Sequence, residues 1–302
     1  MTDIEVVADG LEFPEGPVAM ADGTFVLVEI KRGTLSRARP GGPVEVVAEL
    51  GGGPNGAAIG PDGAAYVCNN GGFVWSERNG FLIPMDLATG ASEPAAFEGG
   101  WIERVDLATG QTRRLYTEVD GHRLRSPNDI VFDEDGGFWF TDLGKIRARD
   151  VDRGGLYYAT VDGSKVTEVA FGLWGPNGVG LSPAGDRVYV AESFSGRLMA
   201  WDLDRPGVVR ERRGTCVAAT KGHFDSLAVE AGGNVVVAAL SQGLCVIQPD
   251  GQYEYVPLPD PMTTNVCFAG EGRRTAFATL SGAGRLVAFD WPRAGLELAF
   301  NA

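Results

Sequence analysis

Apolar residues in this chain cluster in short β-branched and aromatic runs, such as Phe25-Val26-Leu27-Val28, Phe138-Trp139-Phe140, Val188-Tyr189-Val190 and Val235-Val236-Val237. Gly, Asp, Asn or Pro stands close to the ends of each run. No stretch sustains the i, i+3, i+4 spacing of a helix, so the pattern predicts strands throughout. The runs also repeat in register. Six segments begin with a polar residue at Glu15, Asn55, Asn128, Asn177, Asp225 and Asn265, and each continues into paired β-rich runs. Eight residues after the first five of these stand Gly23, Gly63, Gly136, Gly185 and Gly233; the sixth segment has Arg273 there, preceded by Gly272. The starts are 40, 73, 49, 48 and 40 residues apart, which is the spacing of propeller blades. The expectation is all-β: one six-bladed β-propeller domain over 1–302, with four-stranded blades.

In the fourth repeat the strands are expected near 179–181, 188–191, 197–202 and 208–212. The ring must close by pairing its ends, which removes an exposed edge. Residues 4–8 offer an outer strand for the last blade, and 296–300 compete for that place. Counting strands also locates the loops. The second-to-third loop of each blade lies on the same face as the six polar residues. Third strands usually follow Gly33, Gly196, Gly243 or Gly284. The comparable Gly100 and Gly155 come later, so blades two and three carry insertions near 73–99 and 144–154 over that face. Such loops on a rigid scaffold are where function concentrates.

Composition narrows the partners. Hydrophobic residues form 44% of the 302, enough for a packed core, and Gly numbers 44, as many tight turns require. The formal charge of −14 argues against nucleic acid and anionic membranes, which need a basic face. No apolar run approaches the length of a membrane span, and the start shows no secretory signal pattern. Cys68, Cys216, Cys245 and Cys267 are widely separated. The expectation is a cytoplasmic protein with reduced thiols and no protein partner.

Equivalent positions in six repeats lie at one height around an axis, so the six polar residues converge on the mouth of the channel. Pro54-Asn55-Gly56 and Pro176-Asn177-Gly178 are also good turn sequences; six polar residues in register exceed what turns require. Buried polar groups need partners, and a bound cation meets all of them together. With two histidines and no cysteine spacing, a zinc cage is disfavoured. An all-oxygen set suits a hard divalent cation, Ca²⁺ before Mg²⁺, with Mn²⁺ and Zn²⁺ still open.

At these residues the chain resembles the senescence marker protein/gluconolactonase/luciferin-regenerating enzyme family, which includes regucalcin and is related to diisopropyl fluorophosphatase. The carriers are Phe13-Pro14-Glu15-Gly16-Pro17, Ser126-Pro127-Asn128-Asp129 with Phe140-Thr141-Asp142, Gly175-Pro176-Asn177-Gly178, Asp225 with Gly233-Asn234-Val235, and Thr264-Asn265-Val266-Cys267-Phe268. The resemblance implies a six-bladed propeller with one catalytic divalent ion held by Glu15, Asn128, Asn177 and Asp225. Asn55 and Asn265 fall outside that set and become supporting or substrate-contacting residues. Ser126 and Ser226 depart from the family pattern, and Arg125 stands next to the first departure.

The implied reaction is opening of a lactone, foremost a sugar-acid lactone, with the cation polarising the carbonyl and Asp225 activating water. No G-x-S-x-G nucleophile is present. Phe73, Trp75, Phe81 and Trp101 give the second-blade loop an aromatic wall. His122 and Arg125 are candidate substrate contacts, and His223 reads as structural. Lys145, Arg147 and Arg149 read either as a solvated loop or as a cation facing an acidic product. A phosphotriesterase on the same metal site and a non-catalytic calcium-binding propeller are the alternatives.

Overall fold

The structure, a computed structural model, describes residues 3–300. Six antiparallel sheets follow one another along the chain. Blade one is Pro14–Ala19, Phe25–Glu29, Thr34–Ala38 and Glu45–Glu49; blade two is Pro54–Ile59, Ala65–Asn69, Trp101–Val105 and Thr112–Tyr116. Blade three is Pro127–Phe132, Phe138–Asp142, Gly154–Ala159 and Val166–Leu173. Blade four opens with Pro176–Leu181, Arg187–Glu192 and Arg197–Arg205, and blade five is Leu227–Val229, Val235–Ala238, Leu244–Ile247 and Tyr253–Val256. Blade six is Thr263–Ala269, Thr275–Leu280 and Arg285–Asp290, and Glu5–Ala8 adds its outer strand. The six-bladed expectation holds. Among the described residues no helix is long and apolar enough to cross a membrane.

The continuous apolar runs have a simple cause. Each inner or middle strand is flanked by two neighbouring blades, so both of its faces are buried and successive residues serve opposite interfaces. Phe138 and Phe140 pack toward blade two, while Trp139 between them packs toward blade four. Val235 and Val237 face blade four, whereas Val236 and Ala238 face blade six. The core is therefore divided into six apolar clusters, one at each blade interface. The glycines eight residues beyond each polar residue occupy left-handed turns, Gly136 at φ 85° for example, and Arg273 takes the same region at φ 55° in blade six.

Two expectations are refined. The outer strand of blade four is Thr215–Ala219, pairing with Arg197–Ala200, and not a strand over 208–212. The third strand overruns the sheet to Arg205, turns at Pro206-Gly207, and pairs its overhang with Val208–Val209. The chain then loops back before the blade is completed. At the ring closure, Glu5, Val6 and Ala8 pair with Ala288, Val287 and Leu286. Residues 296–300 lie elsewhere: Leu296 N–H donates to Val229 O at 2.8 Å, and Phe300 meets Phe132 edge-on at 5.9 Å.

Closure predicts an alternating sensitivity. Val7 is buried against Leu27 and Leu286, whereas Val6 on the opposite face is 47% exposed. Val7→Asp places an unpaired charge in an interface, at a cost of about 3 kcal/mol or more. Its thermal midpoint should fall by at least ~6 °C, at the 2–4 °C per kcal/mol usual for larger domains. Val6→Asp should stay within about 0.5 kcal/mol of the parent. Differential scanning calorimetry reads both, and equal losses would mean that the strand register is wrong.

Candidate functional site

The six polar residues stand at or just before the start of the innermost strand of their blades. In five blades the pairing with the second strand slips at this point, as between Glu15 and Val18, Pro54 and Gly56, Pro127 and Ile130, Pro176 and Val179, and Thr263 and Asn265. Such bulges turn a side chain out of the regular alternation. Here they take the polar residues of those five blades out of the regular alternation that packs the blade interfaces. The approach segment is fixed by the last residue of the second strand. Glu29 Oε2 accepts Glu12 N–H (2.8 Å), Asn69 Oδ1 accepts Gly53 N–H (2.8 Å), and Glu192 Oε1 accepts Trp174 N–H (2.8 Å). Asp142 accepts the N–H groups of Arg125 (2.7 Å), Ser126 (2.6 Å) and Gly144 (3.1 Å).

Within the ring, Glu15, Asn55, Asn128, Asn177 and Asn265 are buried, and Asp225 keeps partial access. Asn265 Nδ2 donates to Glu15 Oε2 at 2.7 Å, and its Oδ1 accepts Val266 N–H. Gly16 N–H donates to the same Glu15 oxygen at 2.8 Å. Asn55 Nδ2 donates to Asn128 O at 3.2 Å. Asn177 donates from Nδ2 to Ser193 Oγ at 3.1 Å and also hydrogen-bonds Asp225. The amides of Asn55 and Asn265 are thus engaged with the neighbouring ring members. Asn128 Oδ1 is buried with no hydrogen-bond partner, as is Ser126 Oγ two residues earlier.

Charge at the ring is poorly compensated by protein alone. Burial pushes the Glu15 carboxyl up to about 7, against hydrogen bonds from Asn265, Thr264 and Gly16. Asp129, next to Asn128, is also pushed up to about 7, first by burial and then by the Glu15 charge. Asp225 is held well above the usual carboxylate range by burial, then by Glu15 and, more weakly, Asp129. Sequence reasoning missed Asp129 as a third acid here. Its place after Asn128 was the available signal, but its burial depends on the strand packing. It lines a cavity of ≈ 760 Å³ with Val18, Val131, Val179 and Val266, whose wall also carries Asp133, Asp135 and Arg273.

The two insertions meet over the ring face. Trp75 packs edge-on against Phe13 at 5.1 Å, next to the Glu15 strand, and Phe73 follows at 6.2 Å from Trp75. The hairpin Ser76–Arg78/Phe81–Ile83 reaches to blade six, where Leu82 N–H donates to Gly282 O at 3.1 Å. Ser92 N–H and Glu93 N–H donate to Ile146 O at 2.8 and 3.3 Å, joining the second-blade insertion to the third-blade one. Arg125 is committed to ion pairs with Glu93 (2.6 Å) and Asp152 (3.0 Å). His122 is exposed on the Glu118–Val119/His122–Arg123 hairpin, which packs on the outermost strand of blade three. His223 bonds Ser193 O through Nδ1 at 3.1 Å. Of the basic trio, Arg149 is exposed, Arg147 joins the ion-pair group, and Lys145 is buried.

These raised acids set a pH dependence. A carboxyl whose folded pKa lies above its unfolded one stabilises the fold below the unfolded value and loses that contribution as pH rises through the folded value. For Glu15 and Asp129 the loss runs from about 4 to about 7. In the presence of a chelator, the thermal midpoint should therefore fall between pH 5 and pH 8. Glu15→Gln should shrink that fall. An unchanged slope in the variant would separate Glu15 from the effect.

Comparison with known proteins agrees with this architecture. Over 93% of its length and 79% of the relative's, the chain is 26% identical to a gluconolactonase of Zymomonas mobilis. It is 26% identical to the diisopropyl-fluorophosphatase of Loligo vulgaris over 64% of this chain and 67% of that one. A solved gluconolactonase structure from Xanthomonas campestris superposes with a TM-score of 0.75 at 25% identity, covering 96% of this chain and 90% of that one. The SMP-30/Gluconolactonase/LRE-like region matches residues 13–282, a span that includes all six ring residues and both insertions, and the chain belongs to that family.

Proposed function

We propose that this protein is a hydrolase that opens a lactone, most fittingly a sugar-acid lactone, with the help of one divalent cation. The observation that carries the reading is the ring itself: two carboxylates with raised pKa and an orphaned amide oxygen at the channel mouth. That donor set fits a hard cation. Glu15, Asp225, Asn128 and Asn177 would hold it through oxygen, and Ca²⁺, which accepts six to eight such ligands in irregular geometry, suits them better than Mg²⁺. When bound, such a cation supplies Lewis-acid polarisation of the ester carbonyl.

The remaining chemistry falls to the chain. Asp225, hydrogen-bonded to the Asn177 side chain, takes a proton from the attacking water. A carboxylate whose pKa is raised by burial is a better base than an exposed one. The new C–O bond forms at the carbonyl carbon, the ring C–O bond breaks, and the ring oxygen leaves with the proton that Asp225 received. Asn265 and Asn55 hold Glu15 and the Asn128 backbone in place. Phe13, Trp75 and Phe73 supply an apolar wall for the carbon face of the ring. The Loligo vulgaris relative favours a second reading, attack by the same Asp225-activated water on a phosphorus centre.

Three measurements test this. Asp225→Asn should lower hydrolysis of glucono-1,5-lactone, followed by proton release, by about 10² or more, and excess cation should not restore it. Glu15→Gln should weaken cation binding and recover part of its activity with excess cation. Undiminished activity in both variants would leave a non-catalytic propeller, and activity confined to a phosphofluoridate would favour the second reading. Adding Ca²⁺ to stripped protein should raise the thermal midpoint more at pH 8 than at pH 5, because protons compete for Glu15 and Asp225 at the lower pH. A hundredfold excess over Kd is worth about 2.7 kcal/mol. Equal shifts at both pH values would place the cation elsewhere.

A further inference from the structure

Among the described residues one basic side chain is buried, and it has no ionic partner. Lys145, in the third-blade insertion, is 0% exposed. Its Nζ donates to Gly72 O at 2.7 Å and stands 4.0 Å from the centre of the Phe73 ring and 5.1 Å from that of Phe97. Among the described residues it forms no ion pair. Glu93 and Asp152 nearby are taken by Arg125 and Arg147, and Asp142 by three backbone N–H groups.

Gly72, Phe73 and Phe97 all belong to the second-blade insertion. Its later part is fastened to the third-blade loop through Ser92 and Glu93. Its earlier part carries Phe73 and Trp75 and rests on Lys145, on Phe13, and on the Leu82 to Gly282 hydrogen bond across the mouth. Gly72 and Gly99, near the two ends, have φ of 99° and 112°, a region closed to other residues. The aromatic wall thus hangs between two glycine joints.

We propose that Lys145 is a proton-operated latch: as a neutral amine it seats the second-blade insertion over the channel mouth, and on taking up a proton it loosens that seat. An ammonium has three N–H donors and finds one acceptor here, whereas a neutral amine loses far less on burial. The two rings favour the ammonium, as do the Asp142, Glu93 and Asp152 charges, while Arg125 opposes it. Burial outweighs them and brings Lys145 down to about 7. A free lysine keeps its proton to about 10.4, so the seated state binds fewer protons than the released one. The seat therefore tightens as pH rises from 7 toward 10 and is weakest below 7. Lys145 is a positioning residue, setting where Phe73 and Trp75 stand, and the inference is independent of which bond the site cleaves.

Hydrogen exchange on the full chain tests it, with protection taken relative to the intrinsic rate. The reporters are the Val74 and Leu82 amides, bonded to Ser92 O and Gly282 O, with Val236 and Val246 of blade five as controls. Protection of both reporters should climb between pH 7 and 9, by up to about tenfold per pH unit for one proton, while the controls stay level. In Lys145→Met the reporters should not respond to pH. A flat response in the parent, or the same climb in Lys145→Met, overturns the proposal. Should Lys145→Met lose protection at the controls as well, Phe73→Leu replaces it. Losing a ring that favours the ammonium should move the climb to lower pH, and an unmoved onset overturns the latch.

Discussion

The channel mouth depends on side-chain oxygens at the ends of the second strands. Glu29, Asn69, Asp142 and Glu192 each accept the backbone N–H of the segment that enters an inner strand. Blade six uses a hydroxyl instead: Ser281 Oγ donates to Pro14 O, just before Glu15. A buried backbone N–H is costly to leave unpaired, so in blades one to four these contacts dictate where the approach segment stops and the bulged strand begins. The ring residues inherit their height from that stop.

The same arrangement gathers charge where protein alone compensates it weakly. Burial raises the carboxyls of Glu15, Asp129 and Asp225, the Glu15 charge adds to the rise at the other two, and Asn128 keeps an oxygen without a partner. Six apolar interfaces surround this centre, and their rigidity is what lets the strain persist. Stability resides in the blade contacts; the axis holds the poorly compensated groups on which the proposed function rests.

Much of this was legible along the chain because the propeller repeat is local. The polar residue, the turn eight places on and the following β-run sit within one blade, so their register survives without knowledge of the partners. Thr215–Ala219 was harder to see: as an outer strand it is mostly exposed, and its Cys216-Val217-Ala218-Ala219 run is made of small residues, with Val208-Val209 lying nearer in sequence. The tasks of Asn55 and Asn265 rest on contacts spanning 73 and 250 residues, beyond the reach of spacing arguments. Lys145, Arg147 and Arg149 look alike in sequence, and only the packing of Phe73 and Phe97 separates a buried amine from a solvated loop. The glutamate, aspartate and asparagine ending the second strands recurred in register, yet their partners are backbone groups, which sequence does not distinguish.

The strand Glu5–Ala8 completes a sheet whose other members come five blades later in the sequence, at Thr263–Ala269, Thr275–Leu280 and Arg285–Asp290. During synthesis it must wait for the five intervening blades, with Val7 and Ala8 uncovered and its edge unpaired. Closing so distant a contact carries a large loop entropy. This pairing therefore acts as a seam sewn last, and a truncated product lacking blade six leaves both margins of the ring open to strands of other chains.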